Sequence, residues 1–99
     1  MEVHELKILP EFFQAQEDGK KNFEIRKNDR DYKVGDWLYL REYDPKFKDF
    51  FNDPFYTGRD LLVEITFITD YQQKDGYVVL GTKPLKIRWI KSLSTKMEV

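Results

Sequence analysis

Residues 19–27 read Gly19-Lys20-Lys21-Asn22-Phe23-Glu24-Ile25-Arg26-Lys27. Phe23 and Ile25 alternate with Asn22, Glu24 and Arg26, which predicts a half-buried second strand over 20–27. If the two hydrophobes enter the core, Glu24 and Arg26 must emerge together on the opposite face. Lys21 then stands at the junction where the chain enters the strand.

Upstream, Val3-His4-Glu5-Leu6-Lys7-Ile8 alternates in the same way. His4, Leu6 and Ile8 share one face, so this is a first strand. Pro10 opens a helix, because the first helical turn has no use for the N–H that proline lacks. Phe12 and Ala15 define its apolar face and Phe13 widens it. Gly19 ends the helix with a residue that accepts the left-handed conformation.

Downstream, Val34-Gly35-Asp36 is a tight turn into a third strand, Trp37 to Tyr43. Leu38 and Leu40 point one way; Trp37, Tyr39, Arg41 and Tyr43 point the other. Residues 44–60 form the longest irregular stretch, with a short helix expected near Lys46 to Phe51. This stretch carries Phe47, Phe50, Phe51, Phe55 and Tyr56, too many aromatics for a plain linker. A fourth strand runs from Leu61 to Thr69, and Asp75-Gly76 turns into a fifth, Tyr77 to Leu80. A sixth short strand is expected over Ile87 to Ile90. The domain is assigned to 1–90 and a polar tail to 91–99.

Ninety-nine residues make one domain. Eight Phe, six Tyr and two Trp give so short a chain the means to bury a core. One early helix followed by five or six strands predicts an α+β fold with a mostly antiparallel or mixed sheet, closed or nearly closed into a small barrel.

Composition narrows the chemistry. The absence of cysteine excludes a disulfide scaffold, a Cys-based zinc site and a thiol nucleophile. The acidic start Met1-Glu2-Val3-His4-Glu5 does not read as a signal peptide, and no apolar run approaches a membrane span. These features predict a cytoplasmic protein with no membrane partner. His4 is the only histidine and alternates with Leu6 and Ile8, so it reads as a hydrogen-bonded structural residue. No metal and no cofactor are expected. With 17 basic and 18 acidic residues the chain is not globally basic, so any nucleic-acid site must be a local patch. Basic residues gather over 20–33 and over 83–96, the latter without an acid.

Gly19 to Arg26 also fits the pattern G-x-K-x-x-E-x-R. This resembles the signature of the ASCH families of the PUA-like superfamily. His4 to Ile8, Phe23 to Arg30, Val34-Gly35-Asp36, Tyr56-Thr57-Gly58-Arg59 and Gly76 to Gly81 narrow the likeness. They resemble an uncharacterised bacterial and phage-associated family within that superfamily. The resemblance covers roughly residues 4–82. It implies a PUA-like barrel of five to six strands with one helix after the first strand. It also implies binding of RNA or a modified nucleoside in a cleft near the motif. Some ASCH relatives hydrolyse acetylated cytidine with a Lys, a Thr and a Glu. Lys21 matches the lysine, but Glu24 occupies the threonine position, and that departure argues against catalysis.

The residues expected to bind are Lys21, Glu24 and Arg26 at the cleft, with Lys7, Lys20, Arg30 and Tyr43 on its flanks. Lys21 and Arg26 would neutralise phosphate or polar base groups, and Glu24 would select a base by accepting from its amine. The bland alternative is an exposed ion pair worth about 0–1 kcal/mol. Two rival functions are an amidohydrolase for an acylated nucleoside, using Lys21 and Glu24, and a protein-interaction module using the aromatic 44–60 segment.

Overall fold

The computed structural model describes residues 1–46 and 55–85. The elements follow in the order β1 (Val3–Ile8), α1 (Pro10–Glu17), β2 (Phe23–Lys27), β3 (Trp37–Tyr43), β4 (Tyr56–Thr69) and β5 (Tyr77–Pro84). The expected short helix falls mainly on residues 47–54, and the sixth strand and tail fall beyond 85. These lie outside the described residues.

The five strands form one mixed sheet in the order β1-β3-β4-β5-β2. β1 runs parallel to β3, and the other three pairings are antiparallel. The sheet curls into a half-barrel whose two edges, among the described residues, are β1 and β2. β4 and β5 are longer than their hydrophobic runs suggested. β4 starts at Tyr56 because Tyr56 pairs with Tyr43, and β5 continues to Pro84 because Lys83 and Pro84 pair with Glu64 and Val63.

The concave face holds the core. Leu6 and Ile8 of β1, Leu38 and Leu40 of β3, Val63 and Ile65 of β4, and Val78 and Leu80 of β5 are all buried there. A register shift between Ile65 and Phe67 reverses the inward parity of β4. Ile68 therefore packs on the core while Phe67 lies on the outer surface.

The helix connects β1 to β2, the two strands at opposite edges of the sheet, and seats Phe13 in the core. Phe13 and Gln16 are its buried residues, not the expected pair Phe12 and Ala15. Phe12 is left at the surface. Two polar contacts fix the seat. Gln14 Oε1 lies 3.4 Å from Arg59, whose guanidinium stacks over the Phe13 ring at 4.5 Å and forks onto the buried Glu42 at 2.9 Å. Gln16 reaches Glu24 at 2.9 Å. Gly19 then takes φ +73°, which lets the chain leave the helix sharply.

At the other end of β1, Asp36 ties three segments together. It accepts from the Glu2 N–H at 3.0 Å and the Lys33 N–H at 3.1 Å, and pairs with His4 Nε2 at 2.8 Å. The His4 ring also meets Tyr32 edge-on at 4.9 Å. Burial alone would raise the Asp36 pKa, but these hydrogen bonds hold it below the usual carboxylate value. His4 is thus a structural histidine, as its alternation indicated.

Candidate functional site

The second strand faces the opposite way from the sequence reading. Phe23 is 39 % exposed and Ile25 is 53 % exposed, whereas Glu24 is only 3 % exposed. The charged residues point into the concave face and the hydrophobes point outward. The physical reason is a set of partners far apart in sequence. The Glu24 carboxylate accepts from Lys21 Nζ and from Gln16 Nε2 at 2.9 Å through Oε2. Through Oε1 it accepts from Arg26 Nε at 3.1 Å and Nη2 at 2.8 Å. A buried carboxylate is tolerated when it is paired and hydrogen-bonded on this scale. Thr82, inward-facing on β5, adds a more distant contact to Gln16 at 3.5 Å.

A carboxylate offers about four lone-pair sites. All four are occupied within the protein, so Glu24 has none left to accept from a base amine. Its role here is to hold Lys21 and Arg26 side by side. Among the described residues each of those cations keeps unused donors: Lys21 donates one hydrogen bond, to Glu24, and Arg26 commits Nε and Nη2 but not Nη1.

Lys21, Glu24 and Arg26 do share one cleft, of about 630 Å³. It is lined further by Lys7, Lys20, Ile8, Leu9, Phe12, Phe23 and Ile25. Lys20, Lys21 and Arg26 face it against one internally neutralised carboxylate, while the Lys7 ammonium turns to the Tyr43 ring. Phe12 and Phe23 flank the Lys21 ammonium, with ring centroids 5.4 and 5.2 Å from Nζ. An adjoining hollow of about 600 Å³ is lined by Glu5, Leu6, Lys7, Arg26, Arg30 and Tyr56. The two share Lys7 and Arg26, so together they follow the gap between the edges of β1 and β2. Arg30 spans that gap by donating to the Glu5 carbonyl at 3.0 Å.

Tyr43 lies off the main cleft, on the outer face of β3. Its ring packs against Phe55 and Tyr56 at 5.5 and 5.4 Å and carries the Lys7 ammonium at 4.6 Å. On the same face Tyr39 donates to Asp60 at 2.9 Å. Burial, followed by that hydrogen bond, pushes its phenol up to about 12. Of the carboxyl-terminal basic cluster only Lys83 falls among the described residues.

Sequence reasoning missed Gln16, Thr82 and Phe12. For Gln16 a signal was present: it stands three residues after Phe13, on the buried face of the helix, where a polar side chain needs a partner. Thr82 likewise alternates with Val78 and Leu80. Among the described residues no three His, Cys, Asp or Glu side chains gather as a metal site. No helix among them is long and apolar enough to cross a membrane.

Among the described residues the fold and the cleft define a small mixed half-barrel with one helix and a basic groove between its open edges. A family model described as a domain of unknown function, DUF3850, matches residues 3–82, and the chain belongs to that family. The chain is also similar to an uncharacterized 12.9 kDa protein in the GpA 3' region of Escherichia phage P2. The two are 35 % identical over 79 residues, which covers 79 % of this chain and 65 % of that protein.

Proposed function

We propose that this domain is a PUA-like module of the ASCH kind that binds RNA or a modified nucleoside in the cleft between β1 and β2. The observation that carries the reading is the make-up of the cleft. Lys7, Lys20, Lys21 and Arg26 line it together with Phe12 and Phe23, and its one carboxylate is saturated from within. Cations with spare donors bind phosphate, and exposed aromatic rings stack bases. Lys7 and Arg26 border both hollows, so a ligand extending past one nucleoside would meet the Arg30 end next. Glu24, in this reading, is the post that keeps two cations at a fixed spacing.

The test is fluorescence anisotropy of a short single-stranded RNA against increasing salt. Binding should weaken with a logarithmic slope of about −0.7 per phosphate contacted. Lys21→Ala and Arg26→Ala should each flatten that slope. Phe23→Ala should weaken binding by about 1–3 kcal/mol, the usual worth of one stacked base, with the slope unchanged. Salt-independent affinity, or no affinity at low salt, would overturn the proposal. Incubation with acetylcytidine completes the test. Release of cytidine that disappears in Lys21→Ala would make the cleft a hydrolase site instead.

A further inference from the structure

Four consecutive residues of β2, from Phe23 to Arg26, line the same cleft. Successive side chains of a strand point to opposite faces, so one cavity touches all four only by running along the strand's edge. Among the described residues β2 has such an edge, since β5 is its one neighbour there.

The ladder fixes which main-chain groups face that edge. The Thr82 N–H donates to the Asn22 carbonyl at 2.9 Å, and the Asn28 N–H donates to the Gly76 carbonyl at 2.8 Å. Both bonds continue the register that pairs Glu24 with Leu80 and Arg26 with Val78. In an antiparallel ladder alternate residues exchange bonds with the partner strand. Residues 22, 24, 26 and 28 therefore turn their main chain toward β5, and 23, 25 and 27 turn theirs toward the cleft.

Two of these outward carbonyls are already engaged. That of Phe23 accepts from Gln16 Nε2 at 3.2 Å, and that of Lys27 accepts from the Asp29 N–H at 2.9 Å. Ile25 presents both its N–H and its C=O to the cleft, with no partner among the described residues. The described side chains around it supply no free acceptor. Lys7, Lys20, Lys21 and Arg26 only donate, Glu24 is saturated, and the remaining lining is apolar.

We infer that the main chain of Ile25 is the element that reads the base. Its N–H and C=O form an adjacent donor and acceptor that pair with the hydrogen-bonding edge of a nucleobase stacked at Phe12 and Phe23. The cations hold the phosphate and the strand edge sets base preference. This inference rests on the nucleic-acid reading above and names its specificity-determining group.

Ile25→Pro removes the outward N–H without removing a β2–β5 ladder bond, and proline is accepted on an edge strand in that orientation. Ile25→Ala keeps the N–H. Affinities of A-, C- and U-tetranucleotides are measured for wild type and both variants. Wild type and Ile25→Ala should prefer one base by about tenfold, and Ile25→Pro should bring the three to near parity while keeping the salt slope. In wild type, amide hydrogen exchange at Ile25 should slow when the preferred tetranucleotide is added, a readout that stands even if the proline variant does not fold. Unchanged preference in Ile25→Pro, equal binding of all three by wild type, or an unprotected Ile25 amide would each overturn the inference while leaving nucleic-acid binding intact. No binding of any tetranucleotide at low salt would overturn both.

Discussion

β1 and β2 are the two edges of the same curled sheet, and they divide their side chains in opposite senses. β1 sends His4, Leu6 and Ile8 inward and leaves Glu5 and Lys7 outside. β2 sends Glu24 and Arg26 inward and leaves Phe23 and Ile25 at the surface. One edge builds core; the other builds a lined groove. The difference shows that alternation divides a strand into two faces without saying which is the interior. A strand that buries its charges and exposes its hydrophobes is stabilised by specific partners rather than by area removed from water.

Substitutions can break that contrast. The largest effect is expected from Glu24→Ala, which strands Lys21, Arg26 and Gln16 around a missing acceptor. Loss of one partner from a buried ion pair costs about 3–5 kcal/mol, measurable by denaturant unfolding. A cost below about 1 kcal/mol, the worth of a surface pair, would mean that β2 has no charged interior. Leu6→Ala on the opposite edge should cost about 2–5 kcal/mol, as for a buried leucine left with a cavity.

The buried Glu42 sharpens the comparison from outside the cleft. Its hydrogen bonds from Arg59 hold the carboxyl below its ordinary value of 4.5 against the opposing effect of burial, and Thr57 adds to the lowering. A depressed native pKa contributes stability that is present above the unfolded value and is lost as pH falls through the folded one. Glu42→Gln should therefore be less stable at neutral pH, and its melting temperature should fall less than that of wild type between about pH 5 and pH 3. An unchanged slope of melting temperature against pH would remove Glu42 from the acid response.

The smallest effect is expected from Ile25→Ala. With its side chain more than half exposed, the change should stay within about 0.5 kcal/mol. A loss approaching that of Leu6→Ala would show that something covers the outer face of β2.

Much of the fold was legible from local chemistry. Pro10 and Gly19 bracket the helix, Gly35 at φ +95° makes the turn before β3, and Leu38 and Leu40 face the core. Each of these follows from backbone sterics or from a hydrophobic residue with no competing partner. The grouping of Lys21, Glu24 and Arg26 was also legible, because i, i+2 and i, i+3 spacing keeps them near one another. The buried side of β2 was not. Phe23 and Ile25 outweigh their neighbours on any hydrophobic scale, and nothing within the strand records that Gln16 waits opposite Glu24.

The sequence by itself determined the helix, the five described strands and their order, and the closeness of Lys21, Glu24 and Arg26, since those depend on period, turn chemistry and short spacing. Only the tertiary structure decided which face of β2 is interior, that Glu24 is consumed in holding its cations, and that the Ile25 main chain is left facing the groove. Those outcomes depend on hydrogen-bond partners from α1 and on the register with β5, contacts between segments that a single chain of letters does not bring together.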